Sequence, residues 1–213
     1  SVMQNQVPSL VLFDIAGTLV GDTGLTIGTY RAVLESNDLE VDPQWLAERI
    51  GCQKSAVFAE ALHRAGRDVG AADALADLFA EHINTAIDND PPPVLPGVAD
   101  TLSLLQARGC MYGLVTGFHR STARRLCVAG GWTPDVIVGS DEVAHGRPDP
   151  DLVFEAMRRL QVQEHALVAS IGDTPRDLDM ADRAGCGWNI GVTTGSYSMD
   201  ALLERPHTAV LDS

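Results

Sequence analysis

Four short apolar runs separated by amphipathic stretches constrain the fold of this chain more than any other feature. "CMYGLVT" (110–116), "PDVIVG" (134–139), "ALVASIG" (166–172) and "GWNIGV" (187–192) read as buried strands. Alternating with them are "GVADTLSLLQARG", "HRSTARRLCVAGG", "PDLVFEAMRRLQV" and "PRDLDMADRAG", which show helical apolar spacing and glycine stops. Such alternation predicts a doubly wound parallel sheet with helices on both faces, a Rossmann-like α/β core. The run at 9–14, "SLVLFD", belongs to the same sheet.

Residues 21–92 follow another pattern. They contain no clear strand, only helical segments. In "AVFAEALHRAG", Val57, Phe58, Ala61, Leu62 and Ala65 share a face, as do Leu75, Leu78, Phe79, Ile83, Ala86 and Ile87 in "ADALADLFAEHINTAI". A stiff "DPPPVLPG" closes the segment. The expected organisation is an α/β core domain from 1–20 and 93–213, with a helical cap domain from 21–92 inserted after the first strand. A chain of 213 residues can hold a core and an insert of that size. The tail "YSMDALLERPHTAVLDS" reads as a short helix and a last strand.

Charge and composition narrow the partners. A net charge of -14 disfavours nucleic acid and anionic membranes, because both would be repelled. No apolar run reaches bilayer-spanning length and no signal-peptide pattern opens the chain. Cys52, Cys110, Cys127 and Cys186 are far apart, so free thiols and a cytoplasmic setting are expected. Of 15 basic residues only one, Lys54, is lysine. An amine, unlike guanidinium, can lose its proton and attack a carbonyl.

In a parallel sheet, ligands bind at the carboxyl ends of the strands. Here those ends offer Asp14 and Thr18, then Thr116 and Gly117 in "LVTGFHR", then Arg147 in "SDEVAHGRPDPDLVF", then Asp173, Thr174 and Asp177 in "IGDTPRDLDM". Carboxylate oxygens in such a loop site suit Mg²⁺ together with a substrate phosphate. Thr116, the neighbouring amides and Arg147 suit phosphoryl oxygens. Asp14 is then the carboxylate free to attack phosphorus.

These motifs resemble those of the haloacid dehalogenase superfamily, whose aspartate nucleophile forms an aspartyl-phosphate with Mg²⁺ present. That family usually has DxDxT at the first motif and lysine at the third, whereas this chain has "DIAGT" and "GRPDP". Both departures resemble the phosphonatase branch, the phosphonoacetaldehyde hydrolases, which also carry a cap lysine in G-x-x-K. The corresponding stretch here is "IGCQKSAV", and its lysine is Lys54. The resemblance implies Asp14 as nucleophile and metal ligand, with the Ala16 carbonyl and Asp173 completing the protein's Mg²⁺ ligands. It implies Thr116, Gly117 and Arg147 on the phosphonate, Asp177 in support of the metal, and a Schiff base on Lys54. It also implies that the cap helix around 25–36 is a candidate dimer surface.

Ala16 then has a chemical reason. The second aspartate of a phosphatase protonates a leaving alkoxide, but cleaving a C–P bond releases no oxygen. It needs an electron sink, and a protonated imine on Lys54 provides one. The expected substrate is phosphonoacetaldehyde or a related 2-oxoalkylphosphonate. Two alternatives are a phosphomonoester phosphatase of phosphoglycolate type and a non-catalytic phosphate- or metal-binding module. Ile50 and Val57 stand where the phosphonatases carry methionine and histidine, so the proton relay falls to His63, His119 or water.

Overall fold

The computed structural model describes residues 6–22 and 24–213; residues 1–5 of the expected core and Thr23 of the expected cap lie outside them. Strand β1 (Leu10–Phe13) is followed by helices α1 (Leu25–Ser36), α2 (Pro43–Ala47), α3 (Lys54–Arg64) and α4 (Ala72–Asn89). Then come α5 (Val98–Ala107), β2 (Met111–Val115), α6 (Arg120–Gly130), β3 (Val136–Val138), α7 (Asp151–Leu160) and β4 (Val168–Gly172). The chain ends through α8 (Pro175–Ala184), β5 (Trp188–Val192), α9 (Met199–Leu203) and β6 (Ala209–Leu211).

All strand pairs are parallel, in the order β3-β2-β1-β4-β5-β6. Both faces of β1 are buried, which is why its sequence is an unbroken apolar run. Successive side chains point to opposite faces. Val11 and Phe13 therefore join a core with Val98 and Leu102 of α5 and Leu126 of α6. Leu10 and Leu12 pack into a second core with Leu152 and Met157 of α7 and Met180 of α8. The expected α/β architecture is the one observed.

The four inserted helices surround an aromatic cluster. Tyr30 lies 4.6 Å from Phe79 and 5.4 Å from Phe58 between ring centroids, and all three are fully buried. Burial of such side chains contributes on the order of 2–3 kcal/mol each. Val57, Phe58, Ala61 and Leu62 face inward as the periodicity predicts, whereas Ala65 is exposed because it caps α3 past its last turn. Leu75, Phe79, Ile83 and Ile87 of α4 are buried, with Leu78 and Ala86 at the margin. Tyr30, Val33 and Leu34 of α1 are buried inside the same cluster, so this apolar side of the helix is covered within one chain.

The two connections to the insert run side by side. Gly21 donates to the Pro93 carbonyl at 2.9 Å and Leu95 to the Leu19 carbonyl at 2.9 Å. Contacts such as Asn84 with Thr122 tie α4 to α6. No helix among the described residues is long and apolar enough to cross a membrane.

Candidate active site

The strand order explains where the site forms. From β1 the chain moves outward through β2 and β3, then returns to β4 on the other side of β1. At such a reversal the loops diverge and leave a crevice at the carboxyl ends. Asp14 directly follows β1 and Asp173 directly follows β4, so both acids enter this crevice. With Asp177, near the start of α8, they form a buried triad whose carboxylate oxygens lie within 4.8 Å of one another.

This closeness depends on Gly17. Its φ is +83°, and a Cβ there would stand 2.2 Å from Asp173 Oδ2. Asp173 Oδ1 accepts the Thr18 hydroxyl at 3.0 Å. Burial, then the charges of Asp14 and Asp177, push the Asp173 pKa well above the usual carboxylate range.

Asp177 has a structural task that uses both of its oxygens. Oδ2 accepts the Thr174 N–H at 3.0 Å and the Thr174 hydroxyl at 2.8 Å, closing a capping box on α8. Oδ1 pairs with Arg147 Nε at 2.8 Å. Burial raises its pKa to about 6 against the opposing charge of Arg147. Its oxygens are thus committed to Thr174 and Arg147 beside Asp14 and Asp173.

Arg147 was expected on the phosphonate, but the structure turns it into the acidic cluster. Nη2 donates to Asp14 Oδ1 at 3.0 Å and to the Val115 carbonyl at 2.6 Å, and Nη1 donates to the Gly51 carbonyl at 3.2 Å. The guanidinium is almost fully buried and lies outside the lining of the pocket before Asp14. Its single charge offsets part of the triad's negative charge, and its bond to the Gly51 carbonyl ties the insert to the cluster.

That pocket is lined by Asp14, Ala16, Thr116, Gly117 and Asp173 from the core and by Ile50, Gly51 and Lys54 from the insert. Thr116 Oγ1 accepts the Phe118 N–H at 3.0 Å, which leaves its hydroxyl hydrogen for a ligand oxygen. Gly117 lets the insert approach: a Cβ there would lie 2.3 Å from the Gly51 carbonyl oxygen.

Lys54 is 1% exposed and opens α3. Its Nζ donates to the Cys52 carbonyl at 3.0 Å and lies 5.0–5.5 Å from the ring centres of Tyr30, Phe79 and Phe118. Among the described residues no carboxylate pairs with it. Burial lowers its pKa to about 8, although Cys52, Asp14 and Asp22 oppose the shift. The positive end of α3 acts in the same direction as burial.

His63 and His119, considered as proton relays, do not reach this pocket. His63 is exposed at the end of α3, and His119 lies 3.9 Å from Asp77 at the start of α6. The sequence reading missed Asp22, Thr26, Phe118 and Ser196 as lining residues. Their convergence is tertiary; only Phe118, two residues after Thr116, had a local signal.

The residues also fit a divalent cation. Asp14 and Asp173 offer hard carboxylate oxygens in a buried, mutually repelling pair. Among the described residues no backbone donor takes the Ala16 carbonyl, and Ala16 lines the same pocket.

A parallel sheet with a buried acid cluster at its central switch point defines a Rossmann-like α/β protein with a candidate site at the strand ends. The model of the haloacid dehalogenase-like hydrolases matches residues 11–189, and the chain belongs to that family. It is 30% identical over 207 residues to the "Probable phosphatase IndB" of Dickeya dadantii, covering 96% of this chain and 89% of that one. It is also 30% identical over 145 residues to the phosphonoacetaldehyde hydrolase of Parabacteroides distasonis, covering 65% of this chain and 52% of that protein. The fold matches the crystal structure of a phosphonoacetaldehyde hydrolase-like protein from Oleispira antarctica, with a TM-score of 0.82 and 21% identity over 97% of this chain and 88% of that one.

Proposed function

We propose that this hydrolase cleaves the C–P bond of a 2-oxoalkylphosphonate, with phosphonoacetaldehyde as the simplest candidate. The observation that carries the reading is the solitary lysine. Among the described residues no carboxylate pairs with its amine, which is buried in the wall of the pocket that holds Asp14. A lysine kept for structure would bring its charge to a carboxylate or to water. One held with a pKa of about 8 reaches its nucleophilic form near neutral pH.

In this reading the Lys54 amine adds to the substrate carbonyl and loses water to form a protonated imine. Asp14 attacks phosphorus, and the C–P electrons pass into the imine to give an enamine and an aspartyl-phosphate. Water then hydrolyses both adducts. Thr116 and the amides beside it orient the phosphonate. Arg147 holds Asp14 in place, its guanidinium fixed by the Val115 and Gly51 carbonyls. Asp14, Asp173 and the Ala16 carbonyl would hold Mg²⁺, which when bound supplies positive charge to the phosphoryl oxygens.

Borohydride trapping tests the reading. Protein incubated with Mg²⁺ and phosphonoacetaldehyde, reduced and digested, should carry a substrate-derived adduct on Lys54. Lys54→Arg should lose both adduct and phosphate release. Absence of an adduct, with phosphate still released, rejects imine chemistry.

A second reading, phosphomonoester hydrolysis, is favoured by the near full-length similarity to a probable phosphatase. Ala16 weighs against it, since losing general-acid catalysis costs on the order of 10²-fold. Turnover of p-nitrophenyl phosphate that survives Lys54→Ala would favour this second reading.

A further inference from the structure

The imine chemistry leaves one proton to be moved. Lys54, with a pKa of about 8, meets its substrate at neutral pH mainly as an ammonium. It must lose a proton before its nitrogen can add to a carbonyl, and the carbinolamine hydroxyl must gain one to depart as water. The histidines lie elsewhere, so the group has to be found among the pocket's own lining. Among the described residues its titratable members are Asp14, Asp22, Lys54 and Asp173. Asp14 is held by Arg147 as the nucleophile, and Asp173 is paired with Thr18 in the metal-ready cluster. Asp22 is left.

The position of Asp22 suits the task. It stands on the loop between β1 and α1 and lines the same pocket as Lys54. Its Oδ1 accepts the Gly24 N–H at 3.2 Å, which aims the carboxylate without neutralising it. The residue is exposed, so it can exchange protons with water, and it lines the pocket that also holds the buried amine. Its charge also acts on that amine, favouring the ammonium.

We propose that Asp22 is the proton-transfer residue of this site, taking the proton from the Lys54 ammonium and returning it to the carbinolamine hydroxyl. The nitrogen of Lys54 bonds to the carbonyl carbon, the C–O bond then breaks, and the oxygen leaves as water. One ammonium and one carbonyl enter; one protonated imine and one water leave, and Asp22 ends as the carboxylate it began as. The assignment rests on the imine reading above and gives that site the acid–base group that Ala16 cannot provide. It also accounts for a carboxylate that lines the pocket without belonging to the metal-ready acid cluster.

Asp22→Asn and Asp22→Ala in the full chain test it, with phosphonoacetaldehyde as substrate. Both should lower kcat about 10²-fold with KM changed less than threefold, and both should slow borohydride trapping at Lys54. Added formate should restore turnover to Asp22→Ala, where it can occupy the vacated space, and much less to Asp22→Asn. A purely structural role would not produce that rescue. If the unmutated protein traps the adduct and Asp22→Asn turns over within threefold of it, the proton-transfer role is overturned while the imine reading stands. If the unmutated protein traps nothing, both fall together.

Discussion

Lys54 concentrates the tension in this molecule between stability and chemistry. A buried ammonium is costly, and burial is the main cause of its lowered pKa. The sign follows from linkage. The folded state, with a pKa of about 8 against 10.5 for the unfolded chain, binds fewer protons between those values. Stability should rise with pH across that window, and below it the burial penalty is fully present. Lys54→Met should therefore stabilise the fold at pH 7 by about 1–3 kcal/mol, a gain that shrinks as pH approaches 10. Urea unfolding at the two pH values measures it, and a destabilised variant at pH 7 would show that the amine earns its place structurally. The sequence exposed this residue through its solitude and its G-x-x-K spacing. It could not expose the aromatic surroundings, because Tyr30, Phe79 and Phe118 come from three separate segments.

At the scale of elements, the strands were readable because a parallel strand buried on both faces must be apolar throughout, and the helices because their apolar residues keep a 3.6-residue period. The start of α8 is legible as acids at Asp173 and Asp177 after a strand, whereas the capping box between Thr174 and Asp177 emerges only in the fold. The direction of Arg147 was not visible, since "GRPDP" specifies a loop but not which carboxylates its side chain meets. Gly117 shows how such meetings depend on backbone approach. Its missing Cβ admits the Gly51 and Cys52 carbonyls, and a Cβ would lie 2.3 Å and 2.7 Å from these oxygens. The Gly51 carbonyl accepts from Arg147 and the Cys52 carbonyl accepts from Lys54. Gly117→Ala should push back the loop that carries both and misplace the amine, costing catalysis 30-fold or more by analogy with ångström-scale misplacement, which costs on the order of 10²-fold. Thermal unfolding should shift by only a few degrees. Unchanged turnover would mean that the insert does not have to dock this closely for catalysis.

The whole molecule carries a net charge of -14, so any divalent cation will gather around it to some degree. A stabilising effect of Mg²⁺ therefore does not by itself identify a site. The acid pair supplies the distinction. If Asp14, Asp173 and the Ala16 carbonyl hold the ion, saturating Mg²⁺ should stabilise the fold by about 2.7 kcal/mol at a hundred times its Kd, and chelation should remove that gain. Asp173→Asn changes the net charge only from -14 to -13, so diffuse attraction would survive it almost intact. Binding at the pair would not. The variant should also be more stable than the parent without metal, because it removes a buried charge that Asp14 and Asp177 repel. Thermal unfolding of both proteins, with Mg²⁺ and with chelator at matched ionic strength, separates the cases. An equal Mg²⁺ shift in the two would assign the effect to overall charge and remove the acid pair as the site of binding.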